Sequence, residues 1–365
     1  MMGFVLIGCV LLGVGYFVLL SKYGDLWDEI NPTIDNTKGF NVDVVIPFRN
    51  EEGNLLRLFG SLNALETKLH NVRVLLVNDH SSDPWENSLI PLNFEHKILH
   101  LPPNITGKKK ALKLAWSQSK ADIILQTDAD CEFDKNWINS MLYPFIDDEV
   151  ELVSGPVTFN TELGFFNKIV QLDFAALISI GAAHIQGKMP MICNGANLAY
   201  RKNSVEKANL NEKKASGDDV FLMQSIYLGN KNAVVFNKSK EALVNTHGPK
   251  SFKEFWNQRL RWASKNGDYS LKQNTLILAG VWFFNLCIVV ALFSFTNLGS
   301  TIAAFLVVIK VLAEDKFYTR FASFFTLKNW FKTILIGQPF HILYMAIMPI
   351  VSQMVSYKWK ERKLK

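Results

Sequence analysis

Residues 2–20 form an almost unbroken apolar run, MGFVLIGCVLLGVGYFVLL. A stretch of this length is enough to cross the hydrocarbon of a bilayer as one helix. A cleaved secretory signal carries a basic start and a small-residue cleavage site; this segment has neither, and Lys22 follows the run instead of preceding it. The reading is an uncleaved anchor over residues 1–21 with its amino end outside, which leaves the middle of the chain in the cytoplasm. Three more apolar stretches lie in the carboxyl third, at Thr275–Phe295, Leu298–Leu312 and Thr333–Val355. The second is short, and the third carries Gly337, Pro339 and Pro349. The loop with Lys316, Arg320, Lys328 and Lys332 prefers the cytoplasm, and so does the tail with Lys358, Lys360, Arg362, Lys363 and Lys365. One full crossing between them would part them, so the last apolar stretch is expected to re-enter or to lie partly in the interface. The net charge of +6 is mostly this juxtamembrane lysine and arginine, which points to anionic lipid and not to nucleic acid.

The hydrophobic fraction of 49% is concentrated at the two ends, so the middle, residues 40–268, reads as a separate water-facing domain behind a polar linker at 22–39. The four cysteines of the whole chain include no CxxC spacing for a metal or redox pair. Val42–Pro47, Val72–Asn78 and Lys97–Leu101 read as strands, Asn54–Leu69 and a segment opening at Gly107-Lys108 as helices, and Ile123-Ile124-Leu125 as a strand buried on both faces. Strand and helix alternate, which defines an open α/β sheet, and such sheets bind ligands beyond the carboxyl ends of their strands. Polar clusters fall at those ends: Asn50 and Glu51, Asp79, and the pair Asp128 and Asp130. Two aspartates spaced by one small residue can serve a divalent cation, Mg²⁺ or Mn²⁺, or can simply solvate a turn. Glu151–Phe159 is expected to be one further strand. Phe165–Ile180 has a long apolar face interrupted by Lys168, Gln171 and Asp173, and reads either as an interfacial helix or as one packed on the sheet.

The succession VVIPFRNEE, LLVNDHSSD, GKKKAL and QTDAD over residues 40–265 resembles the nucleotide-sugar-binding half of family 2 glycosyltransferases, which have the GT-A fold. The resemblance implies that Phe48, Asn50, Glu51 and Asp79 line the base and ribose pocket, that Lys108 approaches the diphosphate, that Asp128 lies near the ribose and that Asp130 holds the metal. Lys109 and Lys110 read as a solvated helix face. Gly195, in Cys193-Asn194-Gly195-Ala196-Asn197, looks like the acceptor-side loop of that family. In Gly217-Asp218-Asp219-Val220-Phe221-Leu222 the resemblance puts the catalytic base on Asp219, with Asp218 beside it to raise its pKa, although aspartates opening a helix are also ordinary caps. His247 is a candidate to complete the metal shell. Gln258-Arg259-Leu260-Arg261-Trp262 matches the QxxRW motif of membrane-embedded members, and on a helix Gln258, Arg261 and Trp262 share one face. The indole offers an acceptor platform and Arg261 a cation for the leaving diphosphate. Arg259 and Lys265 read as a basic face against phospholipid headgroups.

These features predict an inverting, metal-dependent enzyme at the inner membrane, with several spans. It would move a sugar from a UDP- or GDP-sugar to a lipid or lipid-linked acceptor. The layout is similar to that of ceramide and other lipid glycosyltransferases. The second reading is a processive polysaccharide synthase of the cellulose, chitin or hyaluronan type, which usually has more spans. The third, a non-catalytic nucleotide-sensing scaffold, predicts the loss of Asp130, Asp219 or Arg261, and all three are present.

Overall fold

The computed structural model describes residues 2–32, 38–67, 69–160, 164–206, 208, 210–211, 217–264, 271–355, 357–359 and 362–364. Lys265, Lys360 and Lys365, and residues 33–37 of the polar linker, lie outside the described residues. Helix α1 spans Met2–Glu29. It therefore runs eight residues beyond the expected anchor, because Tyr23, Trp27 and Ile30 are buried against the rest of the chain. The central sheet follows: β1 (Asn41–Phe48), α2 (Glu52–Asn63), β2 (Asn71–Asn78), β3 (Glu95–His100), α3 (Lys108–Gln118) and β4 (Ile123–Gln126). Helix α2 stops well short of Leu69, with Ala64 as its carboxyl cap. After the short strand β5 (Glu132–Phe133) and helix α4 (Trp137–Leu142) come β6 (Leu152–Ser154), β7 (Val157–Phe159), α5 (Phe165–Gln186), β8 (Leu198–Arg201), α6 (Asp218–Gly229), β9 (Val234–Phe236), β10 (Val244–Thr246) and α7 (Phe252–Ala263).

The main sheet has seven strands in the order β3-β2-β1-β4-β8-β6-β9. Strands β1 to β4 pair in parallel, whereas β8 runs antiparallel to both β4 and β6. The strand expected over Glu151–Phe159 is two strands in two sheets, since β7 leaves β6 at Gly155-Pro156 and joins a small sheet of order β5-β10-β7. Asn197 enforces that break: its side-chain amide donates to the carbonyls of Pro156 and Ala242.

Three long apolar helices close the chain: α8 (Lys272–Leu292), α9 (Asn297–Phe321) and α10 (Trp330–Met354). With α1 and α5, they are long and apolar enough to cross a membrane. The short second stretch of the sequence reading is thus a 25-residue helix. It continues past Leu312 because Lys310 and Glu314 are buried by partners on other helices. Helix α10 is continuous through Pro339 and Pro349. It lies along the α/β domain, with Phe340 and Tyr344 against Phe255 of α7 and Met348 against Leu260. Arg320 near the end of α9 pairs with Asp28 at 2.5 Å and Asp25 at 3.4 Å, so α1 and α9 bring their carboxyl ends to the same level beside the domain. Helix α5 is the packed alternative: Val170, Leu172, Phe174 and Ala175 are buried, and its neighbours are α1, α10, β7 and β9. The strands β11 (Tyr357–Trp359) and β12 (Arg362–Leu364) form a terminal hairpin.

Candidate functional site

The antiparallel placement of β8 builds the site. Because Gln126 of β4 stands opposite Leu198, the loop that precedes β8 rises beside the carboxyl end of β4. Two buried side chains lock it there: Gln126 Nε2 donates to the Gly195 carbonyl at 3.0 Å, and Thr127 Oγ1 to that of Ala196 at 2.8 Å. Gln126 Oε1 in turn accepts from Tyr200 at 3.1 Å. Neither Gln126 nor Thr127 stands out in the sequence as a site residue; being polar at the end of a buried strand is the only signal they carry.

Opposite this loop, Gly217 takes φ 88°, a left-handed conformation suited to glycine, and turns the chain into α6 with Asp218 and Asp219 in the first turn. Asp219 is held by two backbone amides, Gly195 at 3.1 Å and Val220 at 2.8 Å. Both carboxylate oxygens are therefore oriented, and the helix amino end favours the charge. Gly195 permits the approach. A Cβ there would meet Gln126 Nε2 at 2.8 Å, Lys108 Nζ at 3.4 Å and Asp219 Cβ at 3.5 Å. Gly195→Ala is expected to cost about 1–3 kcal/mol by overpacking. Thermal unfolding would show that loss, and an accompanying fall in turnover would show the displacement of Asp219.

Lys108, in the first turn of α3, donates to Asp128 Oδ1 at 2.5 Å. Burial depresses the lysine's pKa, but the carboxylates of Asp128, Asp218 and Asp219 outweigh it and hold the ammonium above its usual range. The thiol of Cys131 is pushed well up by burial, then by the Asp130 and Asp128 carboxylates, so it is no nucleophile at neutral pH. Lys109 is not solvated as the sequence reading had it. It is 5% exposed, and its ammonium donates to the carbonyls of Leu210 at 2.7 Å and Asn211 at 3.0 Å.

One cavity of about 540 Å³ gathers most of the expected site. Its polar lining includes Lys108, Asp128, Asp130, Asp218, Asp219 and His247, and Gly195, Gln258, Arg261 and Trp262 line it as well. The same cavity is lined by Ile178 of α5, Leu278 and Trp282 of α8, and Met345 and Met348 of α10. Trp282 Nε1 donates to the Ala346 carbonyl at 3.0 Å and ties the two walls together.

Four expected residues are not among those lining this cavity. Phe48 is 3% exposed and packs edge-on against Trp85 at 5.0 Å. Asn50 Oδ1 accepts from the Ser82 amide, Glu51 accepts from Asn54, and Asp79 accepts from the Gly107 amide at 3.0 Å. They brace the loops at the ends of β1 and β2 and the start of α3.

The donor set fits a divalent cation. His247 Nε2 is buried without a hydrogen bond, and it faces the same cavity as Asp130. An imidazole nitrogen and a carboxylate suit Mn²⁺ and similar ions. Among the described residues no three His, Cys, Asp or Glu side chains gather to cage an ion alone. Substrate phosphates and water complete such a shell in many nucleotide sites.

Comparison with known proteins agrees with this architecture. Residues 43–208 match the sequence model of glycosyl transferase family 2, so this part of the chain carries a domain of that type. A probable glycosyltransferase of Bacillus subtilis (strain 168), YdaM, is 25% identical over 240 residues, which is 63% of this chain and 56% of that protein. An N-acetylglucosaminyltransferase of Rhizobium meliloti (strain 1021) is 26% identical over 237 residues, covering 61% and 54% respectively. The chain thus spans about half the length of these relatives. Among solved structures, a mannosyltransferase of Pyrobaculum calidifontis, PcManGT, in complex with GDP-Man and Mn²⁺, superposes with a TM-score of 0.58. That match covers 97% of this chain and 98% of that one at 14% identity, and shows that the GT-A arrangement and the helices around it are shared.

Proposed function

We propose that this protein transfers one sugar, with inversion, from a nucleotide diphosphate sugar to a hydroxyl of a membrane lipid or lipid-linked acceptor at the cytoplasmic face. The observation that carries this reading is the continuity of the cavity. Its carboxylate end suits a sugar diphosphate, and its other end is walled by α8 and α10, two of the helices apolar enough for a bilayer. A water-soluble acceptor has no use for such walls. The contacts of α10 with α7 favour an interfacial course for α10, which would hold the headgroup of a lipid level with the carboxylates.

In the reaction, Asp219 accepts the proton of the acceptor hydroxyl. The hydroxyl oxygen attacks the anomeric carbon from the face opposite the diphosphate, and the bond from that carbon to the diphosphate oxygen breaks. Arg261 and Lys108 neutralise the departing charge. Asp130 and His247 would hold a divalent cation, which when bound adds positive charge beside the diphosphate. The base, ribose and sugar are placed by the β1 and β2 loops with Asp128, and Trp262 offers a platform for the acceptor.

The purified chain in liposomes, given Mn²⁺ and a panel of radiolabelled UDP- and GDP-sugars, tests this. The expected product is a labelled lipid that extracts into organic solvent and whose mass increases by one sugar. Label recovered only as free sugar, or as a long polymer, would overturn the reading. Filling the apolar end with Ala279→Trp is expected to raise the lipid acceptor's KM about tenfold, the loss of roughly 1.4 kcal/mol of binding. Hydrolysis of the donor without acceptor should not change, because Ala279 lines the cavity on α8, among its apolar walls.

A further inference from the structure

Arg259 is the unexpected member of the α7 motif. It is 2% exposed, and does not lie on headgroups as the sequence suggested. Its guanidinium stands 4.9 Å from the Phe255 ring centroid and 4.3 Å from that of Trp262, four residues before it and three after. The three share one helical face, with the arginine between the rings. Asp173 of α5 meets Arg259 at 2.5 Å. None of the three guanidinium nitrogens has an aligned hydrogen bond, so charge and ring stacking hold this side chain, and it in turn restrains the indole. Phe174, the neighbour of Asp173, also stacks on Trp262, at 5.9 Å.

Asp173 is itself held by a chain of buried polar groups. His341 of α10 places Nε2 3.7 Å from it and Nδ1 3.1 Å from Lys310 Nζ of α9. Lys310 pairs with Glu314, and Glu314 accepts from Tyr16 of α1 at 3.1 Å and from Gln338 of α10. A lysine donating to Nδ1 leaves the proton of a neutral imidazole on Nε2, facing Asp173. Two cations, Lys310 and Arg259, then balance two anions, Glu314 and Asp173. A buried ion pair is weak evidence for stability. Ionisable groups kept among apolar helices point to function. This chain of contacts ends at the indole that lines the cavity.

We propose that Asp173 and Arg259 are positioning residues that fix the Trp262 ring at the acceptor side of the cavity, and that Lys310, Glu314 and His341 hold Asp173 in place for that task. The acceptor role of Trp262 comes from the proposed function; its placement by Asp173 does not depend on it.

The test labels the full chain in detergent with 5-fluorotryptophan. Its nine tryptophans give the ¹⁹F spectrum, and Trp262→Phe identifies one resonance by its loss. In Asp173→Asn and in Arg259→Lys, which keeps the charge but loses the planar stack, that resonance is expected to shift or broaden while the others hold. In the lipid-transfer assay the same variants should raise the acceptor KM about tenfold or more, within the roughly hundredfold that a 1 Å misplacement can cause, with the donor KM unchanged. In the Trp262→Phe background Asp173→Asn should add little, because residues acting through one another are not additive. An unmoved Trp262 resonance in both folded variants would overturn the proposal, as would a spectrum that collapses as a whole, which marks the cluster as helix glue. A moved resonance with unaltered lipid transfer sustains the positioning and overturns the acceptor reading alone.

Discussion

Asp219→Asn is expected to cut sugar transfer about 10²–10⁴-fold while the nucleotide sugar still binds. The substitution preserves size, and the amide oxygen can still accept from the Val220 amide, whereas the Gly195 amide loses its acceptor. The larger expected loss is that of the proposed proton acceptor. A positioned general base contributes about 10²–10⁴-fold, and kcat should fall by that factor. Isothermal titration of the nucleotide sugar, compared with single-turnover transfer, separates the two effects. Near-normal turnover in the variant would remove Asp219 from the base role. Asp218→Asn should be milder, since the proposed base is Asp219, the carboxylate to which the Gly195 amide donates.

The second large effect is loss of divalent cation. Chelation should stop transfer, and Mn²⁺ should restore it. Asp130→Asn should require at least about 10–100-fold more Mn²⁺ for half-maximal rate, the range seen when even an outer-shell partner of a metal is lost. His247→Ala distinguishes ligand from bystander. If Nε2 is a ligand, the Mn²⁺ requirement rises; if the requirement is unchanged while the protein remains folded, His247 leaves the proposed shell. Both measurements can follow nucleotide diphosphate release from the donor and need no identified acceptor.

Much of the catalytic half is legible in the chain because its signals are local. A β-branched run ending in Asp128-Ala129-Asp130 is a buried strand followed by a polar turn, and β4 ends at Gln126 as expected. The helix opening at Lys108 follows from Gly107, whose φ of 108° marks the turn into it. The Gln258–Trp262 motif is legible for the same reason, since i, i+3 and i+4 spacing puts Gln258, Arg261 and Trp262 together on any helix. All three do line the cavity.

The errors share one cause. Lys109, Arg259, Lys310 and Glu314 carry charges that pattern reasoning assigns to water or to a helix end. Each is buried because a partner from a remote part of the chain meets it: Leu210 and Asn211, Asp173, and Tyr16 with Gln338 and His341. Burying a charge is costly without such partners, and no local window contains them. The break between β6 and β7 is of the same kind, because it depends on Asn197, some forty residues away.

Periodicity and run length in the sequence by themselves determined an α/β domain bracketed by apolar helices, with carboxylates at the ends of its parallel strands. Those properties depend on neighbours within a few residues. Only the tertiary structure decided that β8 runs antiparallel and so carries Gly195 to Asp219, that α8 and α10 line the same cavity with apolar side chains, and that polar and charged groups of five helices are joined in one buried chain. Strand direction and charge burial are settled by contacts between residues far apart in the chain, where the free energy of pairing depends on the whole fold.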